Sequence, residues 1–247
     1  MAIGILDSGL GGYSIYQALH NAYPKASFIF LADQKNAPFG TKTKDELLAI
    51  TILNIEWFIH KDIKTIVIAC NTISSTIMPE LRQHFPTLTL ISIVEPTVKS
   101  LKEHQNINIL VCATLATTQS RAYEYQINRL FPNSHVINHA LSDLVMKLEN
   151  LESDLDIEVY LIKELSQYTD QVDTCLLACT HYPIVSHLFK QILNCEVLDS
   201  RNPMIEYFID QAMDLGFSSC YTSLSSTHAN HQVEVLFDIE ESFIEVK

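Results

Sequence analysis

Two cysteines sit in matched settings. Ile66-Val-Ile-Ala-Cys70-Asn-Thr72 and Cys175-Leu-Leu-Ala-Cys179-Thr-His-Tyr-Pro183 are short apolar runs that end in Ala-Cys and turn polar at once. Cys179 lies 109 residues after Cys70, close to half of the 247-residue chain. A lone thiol is most often a small buried hydrophobe, but two in the same context point to chemistry. One catalytic Cys would suggest acyl transfer with a His base and an oxyanion hole. Two facing thiols suit another reaction. A thiolate takes a proton from one face of a carbon, a thiol gives one to the other face, and the mirror-image centre results. Unperturbed thiols titrate near a pKa of about 8.5, which a modest shift brings into range for either role.

The partners such thiols need are present. Asp7 can accept a proton from Cys70, and His181, two residues past Cys179, can do the same there. General acid–base catalysis contributes only ~10²–10⁴-fold. An amino-acid α-proton therefore also requires stabilisation of the charge that develops on a substrate carboxylate. Ser8, Asn71, Thr72, Thr114, Thr117 and Thr180 offer suitable donors. No lysine stands in a pyridoxal-type context, so a cofactor-independent site is expected. Cys179-x-His181 would supply two zinc ligands, but neither HExxH nor a paired CxxC accompanies it, so no metal is expected.

The elements that must carry these residues read as α/β. Continuous apolar runs imply strands covered on both faces, with ligands bound just beyond their carboxyl ends. Strands are predicted at 3–6, 28–32, 65–69, 88–93, 107–112, 136–138, 174–178 and 196–198. Helices are predicted at about 13–21, 45–60, 72–84, 120–130, 140–150, 155–168, 184–194 and 203–214. Four of the six glycines fall in the first twelve residues, within Gly4 to Gly12. Asp7-Ser-Gly-Leu-Gly-Gly12 reads as a tight turn into a helix, in which Asp7 and Ser8 serve equally well as caps or as site residues. Its spacing is neither GxGxxG nor a Walker A loop. The segment 33–43 reads as a long polar loop of the kind that often carries function. Trp57, the only tryptophan, reads as core or interface. Residues 218–231 read as a mobile polar loop, and the stretches after it are ambiguous between helix and strand.

Bulk properties narrow the class. A hydrophobic content of 47% supports a packed core. A net charge of −13 argues against a nucleic-acid or anionic-membrane partner. The start, Met1 to Asp7, carries no basic segment and does not resemble a signal peptide. Six cysteines without a CxxC pair imply reduced thiols in a cytoplasmic protein.

Several motifs together resemble glutamate racemase, of the cofactor-independent aspartate/glutamate racemase superfamily, in order and spacing. They are Ile3-Gly-Ile-Leu-Asp-Ser-Gly-Leu-Gly-Gly12, Ala37-Pro-Phe-Gly40, Ala69-Cys-Asn-Thr72, Thr114-x-x-Thr117 and Cys179-Thr-His-Tyr-Pro183. The resemblance runs from residue 3 to about 200. It implies two pseudo-symmetric three-layer α/β domains with mostly parallel sheets, built from 1–95 plus 207–247 and from 96–206, with the site in the cleft between them. It also implies interconversion of L- and D-glutamate, supply of D-glutamate for peptidoglycan, and a tendency to form homodimers. By the motif match Cys70 and Cys179 are the proton carriers, and Asp7, His181 and Glu149 assist them. Asp7, Ser8, Phe39, Gly40, Asn71, Thr72, Thr114, Thr117, Thr180 and His181 contact the substrate. Phe39 stands where Tyr is usual, and Ala113 and Ala178 where Gly is usual, each placing a methyl next to the site. An acidic residue at position 181 would suit an aspartate enzyme, so His181 favours glutamate. The alternatives are a related racemase acting on aspartate or a hydantoin, and a non-catalytic binding protein that kept the fold.

Overall fold

The computed structural model describes residues 2–103, 107–209, 211, 213 and 215–246. In chain order the elements are β1 (Ile3–Asp7), α1 (Tyr13–Ala22), β2 (Phe28–Ala32), α2 (Lys44–Ile59), β3 (Thr65–Ile68), α3 (Asn71–Thr76), α4 (Met78–His84), β4 (Thr89–Ser92) and α5 (Val94–Lys99). The second half contains β5 (Asn108–Ala113), α6 (Leu115–Ser120), α7 (Ala122–Leu130), β6 (His135–Ala140), α8 (Leu144–Glu149), α9 (Asp154–Leu165), β7 (Thr174–Ala178), α10 (Ser186–Leu193), β8 (Glu196–Leu198) and α11 (Arg201–Phe208). The tail adds β9 (Ser219–Thr222), α12 (Ser226–Phe237) and β10 (Phe243–Glu245). Among the described residues no helix is long and apolar enough to cross a membrane.

The strands form two parallel sheets, ordered β10-β9-β2-β1-β3-β4 and β6-β5-β7-β8. The last four strands of the first sheet and the four of the second follow the same order, which is the half-chain repeat seen in the cysteine motifs. The registers make it residue-specific. Leu6 pairs with Ile68, two residues before Cys70, and Cys112 pairs with Leu177, two residues before Cys179. Asp7 is thus the counterpart of Ala113, and Ser8 that of Thr114.

Alternation along each strand divides the core. Ile3 and Ile5 of β1 pack with Ile109, Val111 and Ala178 of the second sheet in one apolar cluster, which Tyr13, Tyr16 and Tyr123 help to fill. The opposite pleat of the first sheet, with Leu6, Ile66 and Ile68, packs under Leu47, Ile55 and Phe58 of α2. The opposite pleat of the second sheet packs with α8, α9 and α10 through residues such as Leu148, Leu161 and Phe189. Burying apolar area at roughly 25 cal/mol per Å² drives this assembly, and the shared middle cluster makes the two sheets depend on each other.

Local chemistry sets the element ends. Thr43 and Glu46 close a capping box on α2. The Thr114, Ser153 and Ser225 side chains cap α6, α9 and α12.

Several expectations need correction. The predicted helix 72–84 is two helices, α3 and α4. They are divided at Ile77 (φ −130°), and a Pro sits in the first turn of the second. The helix predicted at 120–130 is present as α7, and Arg121, whose φ is +53°, separates it from the short α6, which lies outside the predicted helices. The helix predicted over 203–214 is α11, Arg201–Phe208, and positions 210, 212 and 214 lie outside the described residues. The segment 218–231 is not an open polar loop. It contains β9, which pairs with β2, and the start of α12. Trp57 packs edge-on against Phe58 and Tyr221 with Lys61 over its face, on the outer side of the first sheet.

Candidate active site

Strands β1, β3, β5 and β7 all deliver their carboxyl ends to one cavity of roughly 210 Å³ between the sheets. It is smaller than the pockets of about 300–1,000 Å³ that take drug-sized ligands, so it fits a small molecule. Residues of both halves line it, among them Ser8, Cys70, Asn71 and Thr72 from the first and Thr114, Glu149, Cys179, Thr180 and His181 from the second. Phe39 and Gly40 line it from the 33–43 segment, which folds into two short 3-10 turns at Gln34–Asn36 and Phe39–Thr41. Leu115, Val145 and Met146 give one wall an apolar character.

The chain brings Cys70 to the N-terminus of α3 and Cys179 to the turn after β7. Both thiols are buried to within a few percent, and all six cysteines are free. Burial, and next the Asp7 carboxylate, push the Cys70 thiol up to about 12, against the opposing backbone N–H of Ile73 and the Ser8 hydroxyl. Cys70 Sγ lies 3.7 Å from Ser8 Oγ. It is therefore held as a thiol at neutral pH.

Asp7 is fully buried behind the cavity rather than lining it. Its Oδ2 accepts the Gly12 N–H (2.9 Å), the Gly9 N–H (3.3 Å) and the Thr180 hydroxyl (3.3 Å). Burial raises its carboxyl from 3.8 to about 6, although the His181 charge and the two N–H groups oppose the rise. A group that titrates there can hold or release a proton near neutrality.

His181 carries the other end. Its Nε2 is 2.8 Å from Glu149 Oε1 and 3.2 Å from the Gly11 nitrogen. Burial alone would disfavour its charge, but hydrogen bonds to Cys179 and Glu149 outweigh that and hold the imidazole well above 6.5. Glu149 shows the reciprocal effect. Burial would raise it, and the His181 contact brings it below 4.5. Glu149 is held from outside by Gln232 of α12, whose Nε2 donates to the Glu149 carbonyl at 2.6 Å. Gln232 in turn accepts from Gln34, which accepts from Thr222.

The glycine turn is explained by this convergence. A Cβ on Gly11 would lie 2.3 Å from His181 Nδ1, one on Gly9 2.2 Å from Glu149 Oε1, and one on Gly12 2.3 Å from Asp7 Cβ. Only a bare backbone lets the second half's polar side chains close on the first.

Thr117, like Asp7, is a predicted contact that does not line the cavity. Its hydroxyl accepts from Thr114 and Ser75, and Thr114 meets Thr72 at 3.0 Å, so a line of hydroxyls ties the halves together. The Phe39 ring is buried in the outer cluster of the first sheet. The Ala113 and Ala178 methyls belong to the cluster between the sheets and do not line the cavity. Sequence reasoning missed Gln232, Tyr123 and the buried Asp33. The Asp33 carboxylate accepts Asn36, Asn54 and Ser223 and fixes the base of the 33–43 segment. Among the described residues no group of three or more His, Cys, Asp or Glu side chains is arranged to hold a metal ion.

Comparison with known proteins places the fold and the family. Residues 3–205 match the model of the Asp/Glu/Hydantoin racemase family. A glutamate racemase of Clostridium perfringens is 34% identical over 199 residues, which is 79% of this chain and 76% of that one. The crystal structure of the Francisella tularensis glutamate racemase in complex with D-glutamate superposes with a TM-score of 0.89. It is 25% identical, and the match covers 100% of this chain and 97% of that one. A Bacillus anthracis glutamate racemase isoform has the same fold, with a TM-score of 0.90 at 24% identity over 100% of this chain and 97% of that one. The chain belongs to the Asp/Glu/Hydantoin racemase family.

Proposed function

We propose that this chain interconverts L- and D-glutamate by moving the α-proton between two thiols, without a cofactor. The observation that carries the reading is the delivery of Cys70 and Cys179 to one cavity from equivalent strand ends. Cys70, held as a thiol, donates to one face of Cα. Cys179, beside the cationic His181, takes the proton from the other face. In the reverse direction Asp7 receives the Cys70 proton, and His181 returns one through Cys179. The donors of Ser8, Asn71, Thr72, Thr114 and Thr180 receive the substrate carboxylates and stabilise the charge that builds on them. Thr117 acts through Thr114.

The same reading assigns the two sheets to domains 1–95 plus 207–247 and 96–206. It gives the enzyme a cytoplasmic role in supplying D-glutamate for peptidoglycan. A homodimer belongs to it as well, and the exposed Leu155, Val159 and Ile162 of α9 support a protein contact.

The test is α-proton exchange in D₂O with each glutamate enantiomer and no added cofactor, followed by NMR and circular dichroism. Racemisation of both enantiomers is expected. Exchange of aspartate but not glutamate would keep the two-thiol chemistry and replace the substrate. If no amino acid exchanges its α-proton, the protein is a binding protein on a racemase fold.

A further inference from the structure

Asn71 has an incomplete set of partners. Its side chain is 3% exposed and lines the cavity. Its Oδ1 accepts the hydroxyl of Tyr123, while its Nδ2 is buried with no partner. A buried amide donor without an acceptor is costly. Asn71 lines the cavity, where a ligand can supply the missing acceptor.

Tyr123 comes from α7, in the other half of the molecule, and takes no part in the proton transfers described above. It is buried in the cluster between the sheets. Burial drives its phenol pKa further up from 10, so the hydroxyl keeps its proton at any working pH. The Ser200 and Thr97 hydroxyls also contact the phenol oxygen and lie 2.8 Å from each other. The Thr97 proton goes to the Ile93 carbonyl or to Ser200 Oγ, so the Ser200 hydroxyl is the donor behind the phenol, which directs its own proton at Asn71. The opposite amide orientation would press N–H groups on an oxygen already supplied with a donor. It would also turn the carbonyl lone pairs toward an anionic substrate.

We propose that Tyr123 is a positioning residue that locks the Asn71 carboxamide with Nδ2 facing the cavity, where it donates to a carboxylate of the amino-acid substrate. The proposal rests on the racemase reading for the identity of that substrate. Specificity for a carboxylate over a neutral group then depends on a hydroxyl that never touches the ligand.

A double-mutant cycle tests it. Tyr123→Phe keeps the ring and removes the lock. A roughly three- to tenfold rise in KM for both glutamate enantiomers is expected, with kcat within about twofold. In an Asn71→Ala background the same substitution is expected to change KM by less than about twofold, because its only route to the substrate is gone. Equal effects in both backgrounds, or no effect in either, would overturn the lock. A measurement on the unsubstituted protein guards against variants that fail to fold. The ¹⁵N–¹H₂ resonances of the Asn71 side chain are expected to shift when D-glutamate is added, and unmoved resonances overturn the proposal. If the protein exchanges no glutamate α-proton, the racemase reading falls. The lock then stands if D-glutamate still shifts the Asn71 amide, and falls with that reading if it does not.

Discussion

The two ends of the cavity share a plan and differ in their furnishing. At one end Cys70 is served by a carboxylate at the tip of β1. At the other Cys179 is served by an imidazole on its own turn, backed by Glu149. The strand registers show that these are not equivalent positions. The counterpart of Asp7 is Ala113, and with Cys70 and Cys179 aligned the counterpart of His181 is Thr72. The two halves thus share a framework, and the polar groups beside the two cysteines sit at non-equivalent positions on it. Burial and, next, the Asp7 carboxylate keep Cys70 protonated, whereas the imidazole of His181, held well above 6.5, lies beside Cys179. In the proposed reaction two carriers with identical surroundings would start in the same protonation state, where one of each is needed.

The largest test of this comparison removes one carrier at a time. Cys70→Ser and Cys179→Ser are each expected to lower racemisation by at least ~10²–10⁴-fold. Each should leave residual α-proton exchange from only one enantiomer, and the two variants should retain opposite ones. Exchange from the same enantiomer in both would break the assignment of faces.

The next test separates the helpers by pH. Asp7 has a raised pKa, from 3.8 to about 6, so the stability it contributes is fully present below about 3.8 and is lost as pH rises through about 6. The shift corresponds to about 3 kcal/mol. Asp7→Asn is expected to cost roughly 10²-fold in turnover. It should also flatten the fall in melting temperature between pH 4 and 6, as read by calorimetry. Glu149→Gln acts at the other end. His181 loses one of the two partners that raise it, so the alkaline limb of the rate profile is expected to move to lower pH. The acid limb set by Asp7 moves less, because Glu149 is the smallest contributor to the Asp7 rise.

Gly11→Ala probes the joint between the ends. Its methyl would displace His181 and Thr180, and overpacking of that kind costs about 1–3 kcal/mol. A fall of roughly 5–150-fold in kcat/KM follows, measurable by steady-state kinetics. Gln232→Leu should have the smallest effect. It removes one hydrogen bond to the Glu149 carbonyl, about 1 kcal/mol, and a three- to tenfold loss in kcat/KM is expected.

The parts of this design legible in the sequence are those where local pattern and function coincide. An apolar run ending in Ala-Cys announces both a buried parallel strand and the residue at its tip, and it does so twice. The clustered glycines announce a close approach, although only the structure shows that Glu149 and His181 are what approaches. What escaped depends on distant contacts. Arg121 breaks a helix with a left-handed conformation that its residue type does not signal. The tail helix α12 buries only Ala229, Gln232 and Val233, so no apolar stripe marks it among Ser, His and Asn neighbours. Gln232 itself is an ordinary polar residue until the fold sets it against Glu149. Tyr123 reads as one more aromatic in a helix until its hydroxyl meets Asn71.

The edge of the first sheet bears on how the molecule is made. Strand β2 is bordered by β9, which follows it by nearly two hundred residues, and β10 completes the edge. On a ribosome β1 to β4 emerge early and must wait with an open flank while the whole second half is synthesised. Closing so long a loop is slow, and an exposed parallel edge is a template for pairing with other chains. Because Gln232 and β10 follow the whole second half, Glu149 is clamped only after that half has been synthesised. A nascent chain therefore acquires Cys70 and Cys179 before it acquires the grip on Glu149.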